Sequence, residues 1–333
     1  MPAATEEARP APGEAGLRRR VGLALLVLYG VGTMVGAGIY VLVGAVAGAV
    51  GIWAPLAFAL AALVALPTAL TYAELSSRVP EAGGAAAFIA RGLDSRAAAL
   101  LVGLAIAASG TISAAAVLRG GVGYLTAVVD LPPPLLVILV GLLLTLVASL
   151  GIAHSLAVAA AFTLAEVGGL VAVIAAGASA APSPDYLAPA PLPLAGLGFA
   201  VILCFYAFLG FEDMANLGEE AIQPTRTLPR AYVLAILLVT LLYALVSWAA
   251  VRAVPVAELA ASPQPLTLVW QAGFGGEARF LAAIAVLAAL NGILAQLIMA
   301  SRLLYGLGRD TPALGLFHHT HARTGTPLRA TLL

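Results

Sequence analysis

Two apolar segments, each long enough to cross a bilayer, are interrupted near their middles by glycine. The first reads Gly30-Val31-Gly32-Thr33-Met34-Val35-Gly36-Ala37-Gly38-Ile39-Tyr40, the second Phe205-Tyr206-Ala207-Phe208-Leu209-Gly210-Phe211-Glu212-Asp213. Lipid offers no hydrogen bonds, so a spanning chain must satisfy its own backbone, and a broken helix is tolerated only where protein or water covers the freed groups. Two interrupted spans in two halves of a chain point to a binding site near the membrane midplane, between the breaks. The pattern therefore constrains architecture strongly and the exact cargo hardly at all.

Composition agrees with a chain that lives in lipid. Of 333 residues, 62% are hydrophobic and 10% charged, with mean hydropathy +1.04. Apolar runs recur at membrane length, which predicts an all-α integral membrane protein. Taking about 20 residues per crossing, spans are expected at roughly 22–46, 52–73, 97–118, 134–153, 155–177, 194–217, 231–252 and 279–305. A ninth is expected to begin at Pro327 and is cut off at Leu333. Residues 1–17, rich in Ala, Pro and Glu, read as a disordered tail ahead of a transmembrane domain over 18–333. Arg18-Arg19-Arg20 resembles the start of a signal peptide, but the apolar run behind it is too long, so it reads as a retained first helix.

All sixteen basic residues are arginine, and their placement sets orientation. With the N-terminus cytoplasmic, thirteen arginines fall inside, and only Arg119, Arg252 and Arg279 fall outside. This predicts a multi-pass protein of the plasma (inner) membrane. A formal net charge of zero gives no reason to expect a nucleic-acid partner, and the lone Cys204 excludes an internal disulfide or a CxxC metal site. No cofactor, metal or catalytic trio is expected, and the chain does not read as an enzyme. His318-His319-Thr320-His321 lacks spaced metal-ligand geometry.

The loops add specific motifs. After the second span comes Glu74-Leu75-Ser76-Ser77-Arg78-Val79-Pro80-Glu81-Ala82-Gly83-Gly84, and after the sixth Gly218-Glu219-Glu220-Ala221-Ile222-Gln223-Pro224-Thr225-Arg226-Thr227-Leu228-Pro229-Arg230. With Gly36-Ala37-Gly38-Ile39 and the sixth-span Gly210-Phe211-Glu212, these motifs resemble the amino acid–polyamine–organocation superfamily, near its cationic amino acid transporter-like permeases. The resemblance covers residues 18–333. It implies a LeuT-like fold of two inverted repeats with discontinuous first and sixth helices. The first repeat would occupy about 22–177, and an incomplete second about 194–333, truncated in the ninth span.

At the first break, free amide N–H groups at a positive helix end suit a carboxylate, which nominates Thr33, Met34, Gly36, Ala37, Gly38 and Ile39. The competing reading is helix packing through small residues, Gly32, Gly36 and Gly44 among them. At the second break, carbonyls around Tyr206, Ala207, Leu209 and Gly210 suit an ammonium, with Phe205, Tyr206, Phe208 and Phe211 as walls or ordinary packing. The resemblance favours Tyr206 as the ring facing the pocket.

Glu166 sits mid-span, where a lone charge is costly, so it is either protonated or faces a polar cavity. That suits a proton carrier, with a structural hydrogen bond or sodium ligation as alternatives. Some relatives carry lysine at this place in place of a bound sodium ion. Glu212 either senses protonation or steadies the unwound backbone, while Asp213 faces another helix or water. Glu219 and Glu220 need cationic partners, drawn from Arg226, Arg230, Arg78 or Arg302, and would then form a cytoplasmic gate. Asn291, Ser109, Thr111 and Ser113 either line the pocket or bond between helices.

The combined expectation is a secondary transporter of amino acids, coupled to protons rather than sodium and working by alternating access. An exchanger, a polyamine or organic amine permease, and a non-transporting amino acid sensor are the alternatives.

Overall fold

The computed structural model describes residues 16–125, 130–188 and 190–333. The expected disordered tail falls mainly on residues 1–15, outside the described residues. The described residues form helices joined by short connections, and the one bridge among them pairs Val21 with Ala221 in parallel. Fourteen α-helices are described in chain order: α1 (Leu23–Met34), α2 (Ala37–Val50), α3 (Ala54–Arg78), α4 (Gly84–Gly92), α5 (Arg96–Leu125), α6 (Pro133–Ser149), α7 (Ile152–Ser179), α8 (Pro184–Leu187), α9 (Leu194–Phe208), α10 (Pro224–Ala253), α11 (Val256–Ala261), α12 (Pro265–Phe274), α13 (Arg279–Asp310) and α14 (Leu328–Leu332). A 3-10 segment, Phe211–Leu217, continues from α9.

Six stretches are long and apolar enough to cross a membrane, with α1 and α6 as shorter apolar helices. The expected first span is α1 plus α2, and the expected sixth is α9 plus the 3-10 segment. The stretch beginning at Pro327 opens as the short helix α14.

Small residues set how these helices pack. On α3, Ala54, Ala57, Ala61, Ala65, Ala69 and Ala73 recur at three- and four-residue spacing and are buried. That stripe lets α3 lie close against α10. The outer surface is the reverse of a water-soluble protein's, with Leu63, Leu101, Ile112, Leu143, Leu164 and Leu241 exposed. At the centre, α1 packs against α7, α10 and α13. Gly32 makes this possible: a Cβ there would collide with Thr163 Oγ1 and stand 2.7 Å from Asn291 Nδ2. The broken helix is thereby pressed onto polar groups of its neighbours.

Candidate functional site

The first break occupies two residues. Val35 sits at φ −79°, ψ 71°, the inverse γ-turn minimum, and Gly36 N–H donates to Met34 O at 2.9 Å. Gly36 is extended, and α2 then starts at Ala37 without a side-chain cap. The amides of Gly38 and Ile39, in the first turn of α2, have no intrahelical carbonyl to bind. A Cβ built on Gly36 meets nothing within 4 Å, and one on Gly38 meets only Leu42 of its own helix. Of the packing alternative, only part holds: Gly32 and Gly44 are pressed against neighbours, Gly36 is not. The side chain of Ala37 lies outside the described residues.

The second break is a turn of type II geometry, with Leu209 at φ −63°, ψ 143° and Gly210 at φ 120°, ψ −19°. Glycine is required twice over at 210, because a Cβ would also fall 2.6 Å from Thr33 O. The two interruptions are thus in direct contact. Gly210 N–H donates to Glu212 Oε2 at 2.8 Å, so Glu212 steadies the unwound backbone.

Tyr243 of α10 joins them. Its fully buried hydroxyl lies 2.7 Å from Met34 O and 3.1 Å from Ala207 O, so one proton serves a carbonyl from each break. The ring is fixed edge-on between Phe58 and Phe208. Sequence reading missed this residue; its signal was a tyrosine mid-span, whose hydroxyl must find a partner once buried.

Behind the first break lies Glu166, fully buried on α7. Asn291 Nδ2 donates to Glu166 Oε1 at 3.0 Å and to Thr163 Oγ1 at 3.1 Å, while Glu166 Oε2 has no partner. Tyr40 on α2 also buries an unpartnered hydroxyl, within electrostatic range of Glu166. No cation pairs with Glu166 among the described residues.

Three expectations need correction. Tyr206 is 62% exposed and does not pack at the break, while Phe208 is buried. The two are two residues apart, roughly 200° around the helix, so one points in and the other out. Arg226 and Arg230 are exposed and, among the described residues, unpaired, because they sit on the outer surface of the first turns of α10. Glu220 instead receives Arg302 of α13 through two bonds, Nε to Oε2 at 3.0 Å and Nη2 to Oε1 at 3.3 Å, with both side chains essentially inaccessible. Burial pushes the Glu220 carboxyl up and the Arg302 guanidinium pulls it back. Ser109, Thr111 and Ser113 are exposed on α5, not gathered at the site.

Glu219 accepts Ala82 N–H at 3.2 Å and lies 3.7 Å from Arg309. Glu81 binds Arg91 and Arg309 at 2.6 and 2.7 Å. Arg20 and Val21 N–H both donate to Glu220 O, which ties the segment before α1 into the same cluster. The Arg309–Glu81 pair was also missed, since its members lie 228 residues apart.

A family model described as "Amino acid permease" matches residues 22–333. The chain is 28% identical to the branched-chain amino acid permease BcaP of Bacillus subtilis, over 96% of this chain and 73% of that one. It is 31% identical to human cationic amino acid transporter 4, over 96% of this chain but only 54% of the relative. The chain thus spans about half to three quarters of these relatives' lengths. In fold it is similar to Mhp1, a nucleobase-cation-symport-1 family transporter solved in a closed conformation, with TM-score 0.56 at 15% identity over 97% of this chain and 73% of that one. The helix order, the two apposed breaks and that likeness are those of a LeuT-like transporter fold, and by its sequence the chain belongs to the amino acid permease family of the amino acid–polyamine–organocation superfamily.

Proposed function

We propose that this chain carries amino acids across the plasma membrane by alternating access, coupled to protons, with its N-terminus in the cytoplasm. The single observation behind the reading is the meeting of the two breaks, where Gly210 rests on Thr33 and Tyr243 holds a carbonyl of each. A zwitterion needs amide donors for its carboxylate and carbonyl acceptors for its ammonium, and in this reading one break supplies each. The substrate carboxylate binds the amides of Gly38 and Ile39, reinforced by the positive end of α2. The ammonium binds the carbonyls of Leu209 and Ala207, the latter freed when the Tyr243 hydroxyl settles on Met34 O alone. The relatives' names, branched-chain in one and cationic in the other, support an amino acid as cargo and disagree on its side chain.

Glu166 takes the coupling proton in this reading. A carboxyl with one amide donor and one orphaned oxygen is tolerable neutral, and costs several kcal/mol when charged at that depth. Thirteen arginines against three favour a cytoplasmic N-terminus, which places the Glu220–Arg302 and Glu81–Arg309 cluster at the inner mouth as a gate. The two repeats run over about 22–177 and 194–333.

Reconstitution into liposomes tests this. Labelled alanine, arginine and putrescine are offered in parallel, with and without an inward proton gradient. Concentrative uptake of an amino acid that collapses with the gradient is expected. Uptake of putrescine alone, exchange without accumulation, or binding without transport would replace the reading with a polyamine carrier, an exchanger or a sensor.

A further inference from the structure

Among the described residues, Asp213 is the one buried carboxylate that the reading above leaves unused. It lies in the 3-10 segment, 6% exposed, on the opposite side of the Leu209–Gly210 turn from α9. Its side chain has a single hydrogen-bond partner among the described residues, Gln296 Nε2 of α13, at 3.4 Å. No arginine pairs with it among those residues. Tyr29 of α1, Tyr72 of α3 and Tyr232 of α10 lie within its field, with Glu212 beside it, and Tyr29 also lies within the fields of Glu220 and Arg302. One turn on, Asn216 donates to Asp213 O and buries its own Oδ1 with no partner. The 3-10 segment therefore buries an acid without a counter-charge, bound from α13, and, on the side facing Gly84 of α4, an acceptor without a donor.

Asp213 is one of four acids bound from α13. Down α13, Asn291 binds Glu166, Gln296 binds Asp213, Arg302 binds Glu220 and Arg309 binds Glu81. At about 100° per residue, Asn291, Arg302 and Arg309 share one face of α13 and Gln296 lies about 140° around from Asn291, so Asp213 is held on a different side of the helix from the other three acids. Glu220 and Glu81 are held by arginine; Glu166 and Asp213 are not.

We infer that Asp213, buried without a counter-charge, is a second proton-binding carboxyl, which takes up a proton and gives it to the cytoplasm in each transport cycle. The proton binds a carboxylate oxygen of Asp213 as O–H and then leaves to cytoplasmic water, restoring the carboxylate. This rests on the proton-coupled reading above.

The test uses the full chain in liposomes with an internal pH dye. Asp213→Asn is expected to lose amino-acid-dependent proton influx at least tenfold while amino acid counterflow, which needs no net proton movement, stays within threefold. Asp213→Glu should retain both. Proton influx unchanged in Asp213→Asn overturns the inference, as does loss of counterflow in both variants, which would make Asp213 a packing residue. Absence of counterflow in the parent chain refutes the transporter reading itself, and parent uptake indifferent to the gradient refutes proton coupling and this inference together.

Discussion

Glu166 and Glu220 are the same residue type at almost the same burial, 0% and 1% exposed, and they are treated in opposite ways. Glu220 receives a guanidinium fork, two N–H donors matched to its two oxygens. Glu166 receives one amide N–H, and its second oxygen is orphaned. A buried ion pair contributes little net stability, yet removing one partner strands the other charge. A buried acid with a neutral partner has no such dependence, because it can sit protonated. The difference separates a carboxylate fixed in one charge state from one free to change.

The comparison breaks most easily at Arg302. Arg302→Ala leaves Glu220 buried and unpaired, and the expected cost is about 3–5 kcal/mol, read as a lower thermal midpoint of the purified protein. Replacing both partners, Glu220→Met with Arg302→Met, should recover most of that loss. If the single change is tolerated as well as the double, Glu220 is not held as a charged group. Next in size is Tyr243→Phe, which removes the hydroxyl shared by Met34 O and Ala207 O. It should cost the substrate-free protein about 1–3 kcal/mol and loosen the contact between the breaks, by leaving one carbonyl from each unsatisfied. A variant with wild-type melting would show that the breaks hold their positions without it.

Glu166→Gln sharpens the other arm. The amide keeps an acceptor for Asn291, so the melting midpoint should move by no more than about 1 kcal/mol in stability, while uptake stops responding to a proton gradient. Uptake that still follows the gradient would remove Glu166 from coupling. The smallest effect is expected at Arg226→Ala and Arg230→Ala, within about 0.5 kcal/mol each, since both side chains are exposed and unpaired among the described residues. A large loss of transport there would restore them to the gate.

Much of this was legible in the residues and some was not, for physical reasons. The breaks at Gly36 and Gly210 could be read because glycine in an apolar span has a cost that a site must justify. Glu166 stood out for the same reason. The Glu220–Arg302 pair was only one of four options, because its members lie 82 residues apart and Arg226 and Arg230 are nearer in sequence. Tyr243 was invisible because its importance lies in two carbonyls, 36 and 209 residues away, that side-chain patterns do not reveal. Tyr206 was misjudged through likeness, although helical phase sets it opposite the buried Phe208. Asp213 and Gln296 show the same limit: each is an ordinary polar residue until the fold joins the 3-10 segment to α13.

The most direct measurement is a cryo-EM map of the chain with a bound amino acid. The account predicts density between Gly36–Gly38 and Leu209–Gly210, its carboxylate within hydrogen-bond reach of the Gly38 and Ile39 amides and its ammonium on the carbonyls at the opposite break. An amino acid seated anywhere else, or two uninterrupted helices facing lipid at those positions, would contradict it.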